Sequence, residues 1–366
     1  MPALLACAAL GFAGFALLLP VAPMWATRIG ADPFGAGAVN GTLMLCTVIS
    51  QLLVARLLRR MGWAATLALG MGLLGAPALL HPLTDALWQV LVLAALRGLG
   101  FGILTVCGVI GIAALFAQQH RGRAIGAYGL AIAVPQFALT PLAPWLAEQT
   151  GYPLVFVLAA TPLLGVPLAF TRAAPTLPAE SHHDRSGVGA GLVHPIAALV
   201  VITAAGAGIL TFAPQIGGPT TAFAALLGMT GMAALARWLI GGLADRHGPA
   251  RFIAPMLGIG AVGLALIGMG IGIGGPVVVI GCVLLGTAYG GLQNLTLVQA
   301  FAATGEHARG AVSVAWNVGF DAGTGVGSVV IGGLATVYSF PTAFAVMTAA
   351  CAAVGLLWVR RPGVAG

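Results

Sequence analysis

The sequence predicts an all-α membrane protein with twelve transmembrane helices in two pseudo-symmetric six-helix bundles. Three observations carry this. Twelve separate stretches are apolar and long enough to cross a bilayer, whose hydrocarbon core takes about 20 residues of helix. The 366 residues are 60% hydrophobic and only 6% charged, with a mean hydropathy of +1.05. A soluble domain of this size has no interior large enough for that much apolar surface. Short motifs also recur 186 residues apart in the two halves of the chain.

The first span, 3–25, is read as a helix and not a signal peptide. It lacks a basic leading segment, and ALLLPVAPMW is a poor cleavage site. Span two, 36–57, runs into the Arg56, Arg59 and Arg60 cluster, and span three, 64–82, follows Gly62. Span four, 86–115, carries Arg97, span five, 122–147, follows Arg121, and span six, 153–171, follows Gly151. The longest polar stretch then supplies prolines, two histidines and charges, and reads as a cytoplasmic linker. The remaining spans are expected at 194–214, 220–243, 252–272, 276–303, 309–335 and 340–359. The organisation is therefore an amino-terminal bundle, 1–172, a linker, 173–193, and a carboxy-terminal bundle, 194–366.

The two bundles repeat one pattern. Gly62 of RRMG pairs with Gly248 of DRHG, and Arg123 of GRAIG pairs with Arg309 of ARGAV. Thr150 and Tyr152 of TGYPLVF pair with Thr336 and Tyr338 of TVYSFPTAF at the same offset. Parallel repeats about an axis along the membrane normal are the symmetry of one large transporter class.

Charge supplies the topology. The chain has no lysine, so all fifteen basic residues are arginines. If the first helix runs outward, twelve of them face one side, and only Arg28 faces the other. Cytoplasmic loops collect arginine during insertion, so both termini are expected inside a bacterial plasma membrane. The net charge of +7 is thus a topology signal and not a nucleic-acid surface. The five cysteines all sit in apolar spans without close spacing and read as small core residues.

One loop carries a resemblance. Gly241-Gly242-Leu243-Ala244-Asp245-Arg246-His247-Gly248-Pro249-Ala250-Arg251 resembles G-x-x-x-D-R-x-G-x-x-R, a cytoplasmic loop signature of the major facilitator superfamily. It follows span eight, where the second-half copy belongs, and the six-plus-six topology and central linker extend the resemblance over the whole chain. The resemblance implies a secondary transporter that binds substrate near mid-membrane between the halves, with Gly241, Asp245, Arg246, Gly248 and Arg251 gating. It also implies that Asp245 caps span five of the other half, near Arg121 to Gly126. The first-half copy departs from the signature, with Arg59 where the acid belongs. Proton-linked exporters of the family carry a span-four arginine at the position of Ala94 here, so Arg97 is read from its own depth.

Arg97 lies 11 residues into span four, about 17 Å deep. Asp321 is the one acid placed inside a span, near mid-depth in span eleven. Intramembrane charges are costly and mark function by default, so these two are the proton-coupling candidates. The expected substrate-cavity residues are Arg97, Gln136, Gln293, Asn294, Trp316, Asn317 and Asp321, because amides at membrane depth must face protein or water. Arg237 is read as part of a structural network. Asn40 and Gln51 in span two are open between cavity lining and interhelical hydrogen bonds.

No cofactor or metal is expected. A phosphate-cradling G-x-x-x-x-G-K-[ST] loop is impossible without lysine, and His182-His183-Asp184 is too short and isolated a set for a metal site. No nucleophile–base pair suggests an enzyme. The leading expectation is a monomeric, proton-coupled exporter whose partners are a small-molecule substrate, protons and the lipid bilayer. A proton symporter or facilitator for uptake is the alternative within transport, and a non-transporting sensor or scaffold is the alternative of another class.

Overall fold

The computed structural model describes residues 2–115, 121–171, 190–304 and 309–360, all of them helix or short connection, with no strand among them. The chain divides into two compact units, Met1–Ser181 and His182–Gly366.

The amino-terminal unit begins with α1, Pro2–Arg28, an apolar helix whose one charged residue is its last. Asp32 caps the next helix by accepting a hydrogen bond from Gly35 N at 2.7 Å, with Pro33 as its first helical residue. This helix, α2, runs Pro33–Gly75 and continues as a 3₁₀ turn, Ala76–Leu83. Fifty-one residues in line would reach about 76 Å, more than twice the hydrocarbon thickness. Gly62 breaks it: its φ of 76° and ψ of 171° are open only to glycine. The helix therefore makes two passes, spans two and three. Next come α3, Leu87–Leu115, and α4, Arg121–Thr150. Span six is two short helices, α5 at Tyr152–Leu158 and α6 at Pro162–Leu168. Pro162 has no N–H for a helical hydrogen bond and opens the second of them.

The carboxy-terminal unit holds six uninterrupted passes. They are α7, Val193–Ile216; α8, Pro219–His247; and α9, Ala250–Ile273. Then come α10, Gly275–Ala302; α11, Arg309–Val337; and α12, Phe340–Val359. Each unit thus contributes six passes, as the sequence predicts. In the most apolar 18-residue stretches of α1 and α7, the first helices of the two units, 72% and 83% of the residues are buried, against 28% in that of α8.

The repeat is visible in the backbone. Pro33 and Pro219 open α2 and α8 at the 186-residue offset, and Gly248 takes a φ of 81° where Gly62 takes 76°. Helix contacts repeat too. In α3, Gly98 seats against the Leu43 carbonyl of α2, and a methyl added at Gly102 would lie 2.5 Å from the Thr47 carbonyl. In α10, Gly286 and Gly290 seat against the carbonyls of Met229 and Ala233 of α8, which lie 186 residues on from Leu43 and Thr47. In a bilayer, helices associate by van der Waals packing and polar contacts, so small residues every fourth position set the approach distance. Thr47 and Ser50 reinforce the first contact by donating to the Gly98 and Leu99 carbonyls at 3.1 and 2.8 Å. Large apolar side chains point outward, including Trp88, Trp238 and Leu357, as suits a surface solvated by acyl chains.

Candidate functional site

Among the described residues each bundle holds a buried charged residue. In the amino-terminal bundle it is Arg97, 1% exposed, on α3. Its Nη2 donates to the Gly14 carbonyl of α1 at 3.3 Å, while Nε and Nη1 have no hydrogen-bond partner. Gly98, Gly100 and Gly102 explain how so large a group fits. Gly98 and Gly102 face the first pass of α2, and a methyl at Gly100 would lie 2.5 Å from Gly70 O on the second pass. The arginine is therefore wedged among close-packed backbones, with Phe101 one turn on stacked against Phe15 at 4.0 Å.

Sequence reasoning passed over His81, which is fully buried and lies within electrostatic range of Arg97. Its Nδ1 sits 3.0 Å from the Pro77 carbonyl, its ring stacks on Phe156 at 4.9 Å, and Nε2 has no partner. The available signal was a histidine between prolines in an otherwise apolar run. Asn40 and Gln51 make interhelical hydrogen bonds, from Asn40 to Leu19 O at 2.9 Å and from Gln51 to Thr105 Oγ1 at 3.4 Å. Gln136 is half-buried on α4.

In the carboxy-terminal bundle the buried charge is Asp321, 6% exposed, on α11. It is the one buried acid among the described residues. Tyr289 of α10 is buried and within electrostatic range of both Asp321 and Arg237. Its ring meets Phe320, the neighbour of Asp321, edge-on at 6.2 Å. Arg237 Nη1 donates to Gln293 Oε1 at 3.1 Å, and Asn294 Nδ2 donates to the Arg237 carbonyl at 3.1 Å. Gln293, Asn294 and Arg237 therefore form one α8–α10 network, two turns from the loop near which the sequence suggested Arg237 would act. Trp316 is buried, stacks on Phe320 at 5.7 Å and donates to Thr296 Oγ1 at 3.1 Å. Asn317 is exposed and turns back to the Ser313 carbonyl of its own helix at 2.8 Å. Tyr289 was missed because one aromatic residue in an apolar helix has no periodicity to mark it. The glycines flanking it at 286 and 290 show only that α10 packs closely there.

The loop signature closes α8. Gly248 ends the helix with its N–H bonded to the Ala244 carbonyl, and Arg246 and Arg251 are exposed. A methyl at Gly241 would lie 3.1 Å from the Asn294 amide. That places the start of the signature against the α8–α10 network. The side chains of Asp245, Arg121 and Arg123, and the whole of His182-His183-Asp184, lie outside the described residues. Among the described residues no group of three His, Cys, Asp or Glu could hold a metal ion.

The solved structures that this chain resembles include transporters. A mutant of the peptide transporter POT in complex with sulfate matches with a TM-score of 0.81 at 14% identity, covering 98% of this chain and 93% of that one. A bacterial homolog to the human lysosomal transporter Spinster, inward-facing and unoccupied, matches at 0.76 and 14%, covering 98% and 93%. A mutant of the nucleoside transporter NupG matches at 0.72 and 12%, covering 98% and 99%. No curated protein matches the sequence. The Major Facilitator Superfamily profile matches residues 4–327. That match runs from α1 into α11 and takes in the loop signature and both buried charges. The chain belongs to the Major Facilitator Superfamily and is a multi-pass membrane transporter, not an enzyme.

Proposed function

We propose that this transporter exports a small molecule in exchange for protons by alternating access. The observation that carries the reading is Asp321, an acid sealed in the middle of an apolar helix. A carboxylate in such a place costs roughly 3 kcal/mol in insertion terms unless it is paired or protonated. A change of surroundings between access states therefore becomes a change in proton occupancy. Arg97 is the second proton-coupling charge, and its two unpaired donors leave it able to respond to an arriving anion or carboxylate.

Gln136, Gln293, Asn294, Trp316 and Asn317 line the substrate path in this reading, and Gly241, Asp245, Arg246, Gly248 and Arg251 form the gate. The protein works as a monomer in a bacterial inner membrane, with both termini cytoplasmic. The arginine distribution supports that orientation.

The test is flux in liposomes under an imposed pH gradient, beside counterflow in the same vesicles. Asp321→Asn is expected to abolish gradient-driven accumulation and to keep counterflow. Full accumulation in that variant sinks the assignment. Substrate moving with the protons, and not against them, makes the protein a symporter.

A further inference from the structure

A second site lies at the end of the amino-terminal bundle away from the Gly62 turn. There the last turn of α1 meets the junction of α4 and α5 around a cavity of about 650 Å³. Gly151, with a φ of 95°, turns the chain sharply between the two helices, which brings Glu148 and Tyr152 to one wall. Arg28 lies beside them, its guanidinium 5.1 Å from the centre of the Tyr152 ring and in hydrogen-bonding contact with that side chain. Trp25 lines the same cavity, 5.1 Å from Tyr152 by ring centres. Its Nε1 donates to Thr84 Oγ1 at 2.8 Å, and Phe156 packs edge-on behind it at 5.4 Å. The aromatic wall is therefore fixed before any ligand arrives.

Three features ask for an occupant. Arg28 and Glu148 carry opposite charges and line one cavity, and no ion pair joins them among the described residues. The helix that follows Tyr152, α5, exposes Leu154, Val157 and Leu158 at 41%, 61% and 38%. The repeat supplies an internal control. The positions 186 residues on from Trp25, Arg28 and Glu148 are Thr211, Pro214 and Leu334, and only Tyr152 keeps its counterpart, Tyr338. The second bundle thus builds the matching corner, where Tyr338 is exposed, without either charge or the tryptophan.

We propose that this cavity binds a zwitterionic head group carrying an ammonium and a phosphate, with Arg28 taking the anion and Glu148 the cation. The apolar face of α5 favours a phospholipid as its source, because an acyl chain continues along Leu154, Val157 and Leu158 while Trp25 and Tyr152 sit at the interface. A water-soluble zwitterion has the same head-group chemistry but gains nothing from that face.

The test is native mass spectrometry of the full chain in detergent, with phosphatidylethanolamine, phosphatidylglycerol and free phosphoethanolamine as probes. The wild type is expected to retain phosphatidylethanolamine over phosphatidylglycerol by about fivefold, the upper range for an exposed charge contact. Glu148→Gln should erase that preference and Glu148→Asp should keep it. Arg28→Gln should weaken retention of both lipids. Both residues are exposed, so the variants should keep the wild-type melting temperature. Displacement of the lipid by free phosphoethanolamine at equal concentration supports the site with a soluble occupant. An unchanged lipid ratio in Glu148→Gln and Arg28→Gln overturns the proposal.

Discussion

Arg97 and Asp321 are sealed into helices that offer them little water. Arg97 satisfies one of its nitrogens on the Gly14 carbonyl and leaves Nε and Nη1 unpaired. A buried donor without a partner costs about 1–3 kcal/mol, so as a structural element the residue is a net liability. Replacing such a charge with an apolar side chain of similar volume is commonly neutral or stabilising. Arg97→Met is therefore expected to melt at or above the wild-type temperature while losing transport by roughly tenfold or more, equivalent to at least 1.4 kcal/mol. Thermal shift beside liposome flux checks it, and a variant that melts lower but transports normally would assign Arg97 to structure alone. For Asp321→Asn the expectation is loss of gradient-driven flux with counterflow retained. Tyr289 adds a subtler case, since it lies within electrostatic range of both Arg237 and Asp321. Tyr289→Phe should move the pH midpoint of transport while leaving the fold intact.

At the scale of the helix, glycines decide where one helix meets another. Gly290 and Gly98 press directly on carbonyls of α8 and α2. The contacting atoms are helical backbone and cannot swing aside as a side chain would. Gly290→Ala and Gly98→Ala should each destabilise by about 1–3 kcal/mol, the range for overpacking a close contact. Gly258→Ala, where an added methyl meets nothing within 4 Å, should melt like the wild type. Equal melting of all three variants would mean that these stripes do not set the helix spacing. The Gly62 break acts at the same scale. Without it, α2 would be a single rod too long for the membrane, and one pass of the bundle would be lost.

At the scale of the whole molecule, the arginine split and the loop signature bear on orientation and on switching. Cysteine placed at Ala31 is expected to react with an impermeant reagent added outside intact cells, and cysteine placed at His247 is not. The reverse pattern inverts the topology. Asp245→Asn should preserve expression and shift the ratio of inward- to outward-open forms several-fold, since a carboxylate contact at a helix terminus is worth up to about 1–2 kcal/mol. Spin-label distances that match the wild type would remove the loop from the gate.

The sequence by itself determined the solvent, the number of passes and the repeat. Apolar runs of about 20 residues have one economical destination, and positive charge sorts to one side of a membrane during insertion. These are one-dimensional signals, carried by composition and spacing, so Gly62 and Gly248 were legible as turns and Arg97 and Asp321 as misplaced charges. Only the tertiary structure decided the partners. The bond from Arg97 to Gly14 spans 83 residues, and that from Arg237 to Gln293 spans 56. Nothing in local periodicity encodes separations of that length. The amides show the limit most clearly. Asn40 is anchored to α1, Gln293 to Arg237, and Asn317 to its own helix. All three look alike in sequence, because each is a polar residue in an apolar run. What separates them is which neighbouring backbone or side chain packing brings within hydrogen-bond reach, and close packing of helices in lipid sets that in three dimensions.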